Sequence, residues 1–271
     1  MSYQKEIKAH FEKNKEKWFG EIENGKWRNS ENFYHHILPK EEEVLNLLET
    51  YRDNLIEYLE KKKIKKHIYF HHLNSSQAMC LNFFYPLLAE NELDVILMLI
   101  GLNEEIDYDN TCFEKASDIE KNKNYRPTSF DFYIKTVSGK NVFFEIKYTE
   151  QEFGKAKPDD LHKQKFDNVY KDNLNAIKEK YHDQKVFLEN YQILRNLICI
   201  AENSYVCFIY PSGNKKIKEQ AENAKSKFVK SELKNHFKPL TWESVLDYTE
   251  KNVKNESIKK QLKDFKEKYK I

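Results

Sequence analysis

The chain has 271 residues, 33% of them charged and 14% aromatic, with only six glycines and six prolines and a net charge of +2. That balance excludes a disordered or low-complexity polymer and argues against coating a polyanion by net charge alone; it fits a compact, helix-rich protein able to bury a substantial core. The charge is uneven, since residues 211–271 carry 16 lysines and nine acids, a surplus of +7 that leaves −5 for residues 1–210.

Residues 2–19 are expected to form an amphipathic helix ending at Gly20, followed by turn chemistry through Glu31. A second helix is expected after Pro39, with Glu41, Glu42 and Glu43 at its positive end and Lys61 to Lys66 at its negative end. Val44, Leu48, Tyr51, Leu55 and Leu59 give it an apolar stripe. His35-His36 and His71-His72 suggest zinc, but adjacent histidines diverge and neither pair has a cysteine at ligand spacing, so they read as structural contacts. Ser75 or Ser76 can cap a third helix carrying Ala78, Leu81, Asn82, Tyr85 and Leu88 to its end near Glu90, with Pro86 predicting a kink or an early break. The apolar run from Asp94 to Gly101 is too short to span a membrane.

Asp107 to Ala116 reads as a first strand, with Glu114 on it, and a polar loop over 117–128 leads onward. Phe130–Val137 and Asn141–Tyr148 then read as a hairpin joined by Ser138-Gly139-Lys140. After Glu150, F-G-K-A-K-P-D-D reads as an exposed loop in which Lys155 and Lys157 could touch phosphate, before helices at about 159–181. Val186–Ala201 predicts an amphipathic helix, with Phe187, Tyr191, Leu194 and Ile198 on one face and Gln192 and Arg195 on another. Tyr205–Tyr210 has the continuous apolar run of a buried strand after a helical crossover. A lysine-rich helix at about 215–230, a short strand near Phe237–Leu240 and C-terminal helices complete an α-β-β-β-α-β order.

Chemistry concentrates on the hairpin. Side chains on a strand alternate faces, which sends Phe143, Glu145 and Lys147 to one side and Val142, Phe144, Ile146 and Tyr148 to the other. Asp131 on the first strand can meet the Glu145–Lys147 face. Two carboxylates and a lysine on apolar strands are costly without compensation. Hard oxygen ligands suit Mg²⁺, with Mn²⁺ able to substitute, and the lysine would stand beside a metal-bound water. The arrangement reads as a phosphodiesterase site.

Asp131, thirteen residues, then Glu145-Ile146-Lys147 resembles the D…(D/E)-x-K signature of the PD-(D/E)XK nuclease superfamily. The triplet alone recurs at Glu6, Glu60, Asp183, Glu232 and Asp264, mostly in polar helix-like sequence, whereas Glu145 lies in an apolar strand behind a hairpin bearing an aspartate. The superfamily's proline is displaced, since Pro127 lies four residues ahead of Asp131. Longer strings widen the resemblance over most of the chain: H-I-L-P (His36–Pro39), H-L-N-S-S-Q-A (His72–Ala78), N-F-F-Y-P-L, S-F-D-F, F-F-E-I-K-Y-T-E, F-G-K-A and Y-Q-I-L-R-N (Tyr191–Asn196). They look like a group of bacterial restriction-endonuclease-like proteins.

The resemblance implies an α/β restriction-endonuclease-like core with a mixed central sheet flanked by helices and helical additions at both ends. It implies Mg²⁺ held by Asp131, Glu145 and the Ile146 carbonyl, with Lys147 handling the water and Gln192 facing the scissile phosphate. Glu90, as a late acid on the first core helix, is a further candidate ligand and Gln77 a comparable candidate for a polar contact; Glu114, Arg195 and His72 are further candidate contacts. The expected division is a helical N-terminal extension over 1–70 and a nuclease core over 71–271. The expected partner is nucleic acid, double-stranded DNA first, cut by a possible homodimer serving restriction or defence. RNA- or repair-type cleavage and a catalytically silent nucleic-acid-binding module are the alternatives. Cys80, Cys112, Cys199 and Cys207 lack C-x-x-C spacing and read as reduced core residues, and no signal peptide is visible, so a cytoplasmic, non-membrane protein is expected.

Overall fold

Backbone contacts group Met1–Asn103 with Trp242–Ile271 as one compact unit and Glu104–Thr241 as a second. This grouping by contact is drawn differently from the expected division at residue 70. The structure, a computed structural model, describes residues 2–120, 125 and 127–271. The remainder of the expected 117–128 loop, residues 121–124 and 126, lies outside the described residues. In chain order the elements are α1 (Tyr3–Phe19), β1 (Gly25–Lys26), β2 (Phe33–Tyr34), α2 (Arg52–Lys61), α3 (Ser76–Ala89), α4 (Asp94–Leu99), β3 (Cys112–Ala116), β4 (Ser129–Lys135) and β5 (Asn141–Ile146). There follow α5 (Asp160–Lys165), α6 (Gln184–Glu189), α7 (Tyr191–Leu197), β6 (Ser204–Tyr210), α8 (Lys215–Lys227), β7 (Phe237–Thr241), α9 (Trp242–Asn252) and α10 (Glu256–Tyr269).

The first unit is helical apart from the β1–β2 pair. α1 ends as expected at Gly20, whose φ of +68° is left-handed. The single helix expected after Pro39 is broken: 3₁₀ turns cover Lys40–Asn46 and Glu49–Tyr51, Leu47 and Leu48 are extended, and α2 starts only at Arg52. The reason is tertiary, because the Leu48 N–H donates to Asn82 Oδ1 at 2.8 Å, and so is not used along a helix. α3 is capped by Ser75 and runs through Pro86 to Ala89 without the expected early break. A proline at 86 removes the N–H that would reach the Asn82 carbonyl. Gln261 Nε2 donates to that carbonyl instead, at 3.1 Å, so the buried acceptor is satisfied. Asn82 also donates to Asn46 O at 3.0 Å and to Tyr269 Oη at 2.8 Å. Phe83, Trp242 and Phe265 pack against one another with centroids 5.1–5.7 Å apart.

The second unit is an α/β layer. Among the described residues its sheet has five strands in the order β3-β4-β5-β6-β7, antiparallel across β3, β4 and β5 and parallel across β5, β6 and β7. Helical segments connect β5 to β6, and α8 connects β6 to β7, as parallel neighbours require. The β4–β5 hairpin turns at Gly139, where φ is +94° and glycine carries no Cβ penalty. The first strand is shorter than expected. Residues 108–110 form a turn, with Asp107 accepting from the Asn110 amide at 3.2 Å, and β3 begins at Cys112. Helices expected over 159–181 are a short α5 followed by a π turn at Phe166–Tyr170 and 3₁₀ turns. One face of the sheet, through Tyr133, Phe143, Val206, Phe208 and Phe237, joins a core cluster with Phe187, Leu194 and Ile217. The fold is therefore α/β with a mixed five-stranded sheet and flanking helices, compatible with a restriction-endonuclease-like fold.

Candidate active site

The β4–β5 ladder pairs Lys135 with Asn141 and continues as far as Phe132 with Phe144. Beyond that point the side chain of Asp131 takes over, with Oδ2 accepting the Ile146 amide at 2.6 Å. A carboxylate in place of a ladder carbonyl holds Asp131 against the start of the Glu145-Ile146-Lys147 segment. Glu145 lies in β5, which is paired in parallel with β6 up to Ile146 with Ile209. The Lys147 amide donates to Ile209 O at 2.9 Å, keeping the lysine aligned one residue past the strand.

Glu145 and Lys147 are 5% and 6% exposed, respectively. Lys147 Nζ donates to Glu145 Oε1 at 2.7 Å and lies 5.4 Å from the Phe153 ring centroid. Gln192 Nε2 donates to the same Oε1 at 2.7 Å, and Asn196 Nδ2 to Oε2 at 2.9 Å. Thus both carboxylate oxygens are held by fixed donors.

The presentation of Gln192 comes from a helix break. A single helix over 186–201 was expected, but α6 and α7 are separate because Asn190 leaves helical geometry at φ −120°, ψ 33°. Asn190 Nδ2 bonds back to Val186 O at 2.9 Å. The Gln192 N–H instead donates to Gly154 O at 2.9 Å, while Gly154 N–H donates to Gln192 Oε1 at the same distance. That reciprocal pair fixes the amide so that Nε2 faces Glu145. The F-G-K-A loop is not wholly exposed: Phe153 is buried and stacks on Phe208 with centroids 4.9 Å apart. Asn214 Nδ2 donates to the Tyr148 and Glu150 carbonyls at 3.1 and 2.8 Å, and Gln220 Oε1 accepts the Phe153 amide at 3.0 Å.

Burial, then the Glu145 carboxylate and more weakly Glu114, raise the Asp131 carboxyl well above the ordinary aspartate range, against the lowering effects of Lys147 and the Ile146 amide. Burial alone would lower Lys147, yet Glu145, Glu150 and Asp131 outweigh it and raise its pKa above the ordinary lysine value. Lys147 is therefore held as an ammonium, a donor and a charge rather than a base. No group of three or more His, Cys, Asp or Glu side chains suited to a metal occurs among the described residues. Asp131 and Glu145, close enough for the second to raise the pKa of the first, are hard oxygen donors of the kind Mg²⁺ takes, one or two carboxylates with water and phosphate completing its shell.

Asp131, Glu145, Lys147 and Gln192 are thus brought together, and Asn196 is an unforeseen fifth member. Its signal was the spacing of four residues after Gln192, which places both on one helix face. Glu114 pairs with Ser129 Oγ at 3.1 Å from a left-handed backbone, φ +54°. Arg195 lies over the Tyr191 ring at 5.1 Å. Lys155 and Lys157 are exposed. Glu90 belongs to the first unit, where it ends α3 and accepts from Tyr51 Oη at 3.0 Å and Asn255 Nδ2 at 2.8 Å. Gln77, also in the first unit, accepts from the His67 amide at 2.7 Å and donates to Lys65 O at 3.1 Å. The histidine pairs lie there too: His36, His71 and His72 are buried, His71 and His72 with ring centroids 4.6 Å apart. The four cysteines are free, Cys80 and Cys207 buried, Cys112 and Cys199 half-buried.

A family model described as restriction endonuclease associating with ARP matches residues 8–270. The chain belongs to this family. No curated protein and no solved structure matches. Membership in the restriction endonuclease associating with ARP family indicates a nuclease with a nucleic-acid substrate. Among the described residues no helix is long and apolar enough to cross a membrane.

Proposed function

We propose that the chain is a divalent-metal-dependent endonuclease of the PD-(D/E)XK type that hydrolyses phosphodiester bonds in duplex DNA. The observation that carries this reading is the convergence of Asp131 and the Lys147–Glu145 ion pair, 2.7 Å long, at the end of β5. Asp131, Glu145 and the Ile146 carbonyl would hold Mg²⁺ or Mn²⁺, which when bound activates water and polarises the scissile phosphate.

The chain's own residues divide the remaining work. Lys147, kept protonated by three surrounding carboxylates, donates to the attacking oxygen or to the phosphate and stabilises the negative charge that develops there. Gln192, fixed by Gly154, keeps Glu145 aimed, and the second N–H of the same amide can be offered to the phosphate. Phe153 and Phe208 close the inner side of Lys147 with apolar surface, which strengthens the electrostatics of the pair. Lys155 and Lys157, exposed on the loop after β5, supply phosphate contacts. Cutting both strands calls for two sites, so a homodimer on DNA and a role in restriction or defence inside the cell complete the reading.

Incubation of the purified chain with plasmid, linear duplex and RNA, each with Mg²⁺ or EDTA, tests it. Metal-dependent breakage of the duplexes is expected. Cleavage of RNA alone would move the substrate to RNA, and intact nucleic acid bound without cleavage would point to a silent binding module.

A further inference from the structure

Glutamate side chains turn easily at the last bond, because the torsion that orients the carboxylate plane is broad. A Glu145 held through one oxygen would keep its position but not its plane. Lys147 and Gln192 both act on Oε1. Asn196 alone, through the 2.9 Å hydrogen bond from Nδ2, engages Oε2 among the described contacts.

Asn196 is fully buried at 0% exposure, and its Oδ1 has no hydrogen-bond partner among the described residues. Burying an amide with an unsatisfied acceptor is unfavourable, and a leucine of similar size would avoid that cost. Ile193, Leu194 and Leu197 beside it on α7 are the apolar residues that packing favours. The amide is therefore explained by its donor.

We infer that Asn196 is a positioning residue that locks the plane of the Glu145 carboxylate, with Gln192 as the other jaw one helical turn away. This rests on the proposed metal role of Glu145 and deepens it. Locking both oxygens keeps the carboxylate oriented for a cation, as outer partners do for metal-ligating carboxylates generally. The pairing of an amide at position i with a second at i+4 on α7 follows from helix geometry, since both then lean onto the same β5 residue.

The test uses the full chain and Mn²⁺ alone, followed by electron paramagnetic resonance, with thermal melting and duplex cleavage measured in parallel. Asn196→Leu is expected to weaken Mn²⁺ binding about 10- to 100-fold and to lower kcat by a similar factor. The KM for duplex should stay near that of the unaltered chain, while the melting temperature falls modestly because Oε2 loses its donor. Asn196→Ala, which withdraws the donor with a smaller side chain, is used if the leucine variant fails to fold. Unchanged Mn²⁺ affinity and kcat in a folded variant overturn the inference alone. Absence of Mn²⁺ binding by the unaltered chain overturns the metal role of Glu145 and this inference with it.

Discussion

Lys147 Nζ and Glu145 Oε1 stand 2.7 Å apart, two residues along one chain segment and both nearly excluded from water. Removing one member of a buried pair generally costs about 3–5 kcal/mol, because the other charge is left without compensation. Here Glu145 would keep Gln192 and Asn196 as donors. Lys147→Met should therefore destabilise the fold by a smaller amount, about 1–3 kcal/mol. Urea unfolding of the two proteins measures it, and a loss far above that range would mean the amides do not share the charge.

Gln192 is fixed at Oε1 by Gly154 and at Nε2 by Glu145. Gln192→Leu removes both contacts while preserving size. It should reduce kcat about 10- to 100-fold, the usual effect of removing a partner that orients a ligand. Steady-state kinetics on a labelled duplex give the answer, and the far-ultraviolet circular dichroism should remain that of the unaltered chain.

Burial, followed by nearby cationic groups, lowers His36 from 6.5 to about 4 and His72 from 6.5 to about 3. The folded chain therefore keeps both rings neutral where the unfolded chain protonates them. Below the unfolded value of 6.5 unfolding takes up protons, so stability is complete above about pH 6.5 and falls as the pH drops toward the folded values near 4 and 3. Each histidine accounts for a loss on the order of 1–3 kcal/mol across that window. Melting temperatures between pH 7 and 4 should decline, and His36→Asn should flatten the decline.

Gln261 and Pro86 are coupled through the Asn82 carbonyl, which the proline leaves without its helical donor and the glutamine supplies at 3.1 Å. Gln261→Leu should cost about 1–3 kcal/mol by orphaning that buried acceptor. Adding Pro86→Ala restores a backbone N–H, so the double variant should recover about 1 kcal/mol relative to additivity. A double-mutant cycle by chemical denaturation reads the coupling directly.

The hairpin was legible in the sequence because alternation and Gly139 act locally, and these alone bring Asp131 to the Glu145-Ile146-Lys147 strand. The buried β6 and the helical crossover before it were equally legible from a continuous apolar run. What periodicity missed were interruptions made by distant partners. Leu48 leaves its helix because Asn82 takes its amide, and Gln192 starts a new helix because Gly154 takes its amide. Pro86 was read as a kink or an early break because the glutamine that satisfies Asn82 lies 179 residues away in sequence. Asn196 was hidden for a simpler reason: four residues after Gln192 it falls on that residue's polar face, where an asparagine does not announce a buried partner.

Cleavage of duplex DNA in Mg²⁺ by the unaltered chain, Asp131→Ala and Lys147→Ala, compared side by side with their melting curves, tests the central claim most directly. The unaltered chain should cut and stop on addition of EDTA, while each variant folds and loses cleavage by at least about 100-fold. Undiminished cutting by both folded variants would contradict a site built on Asp131, Glu145 and Lys147.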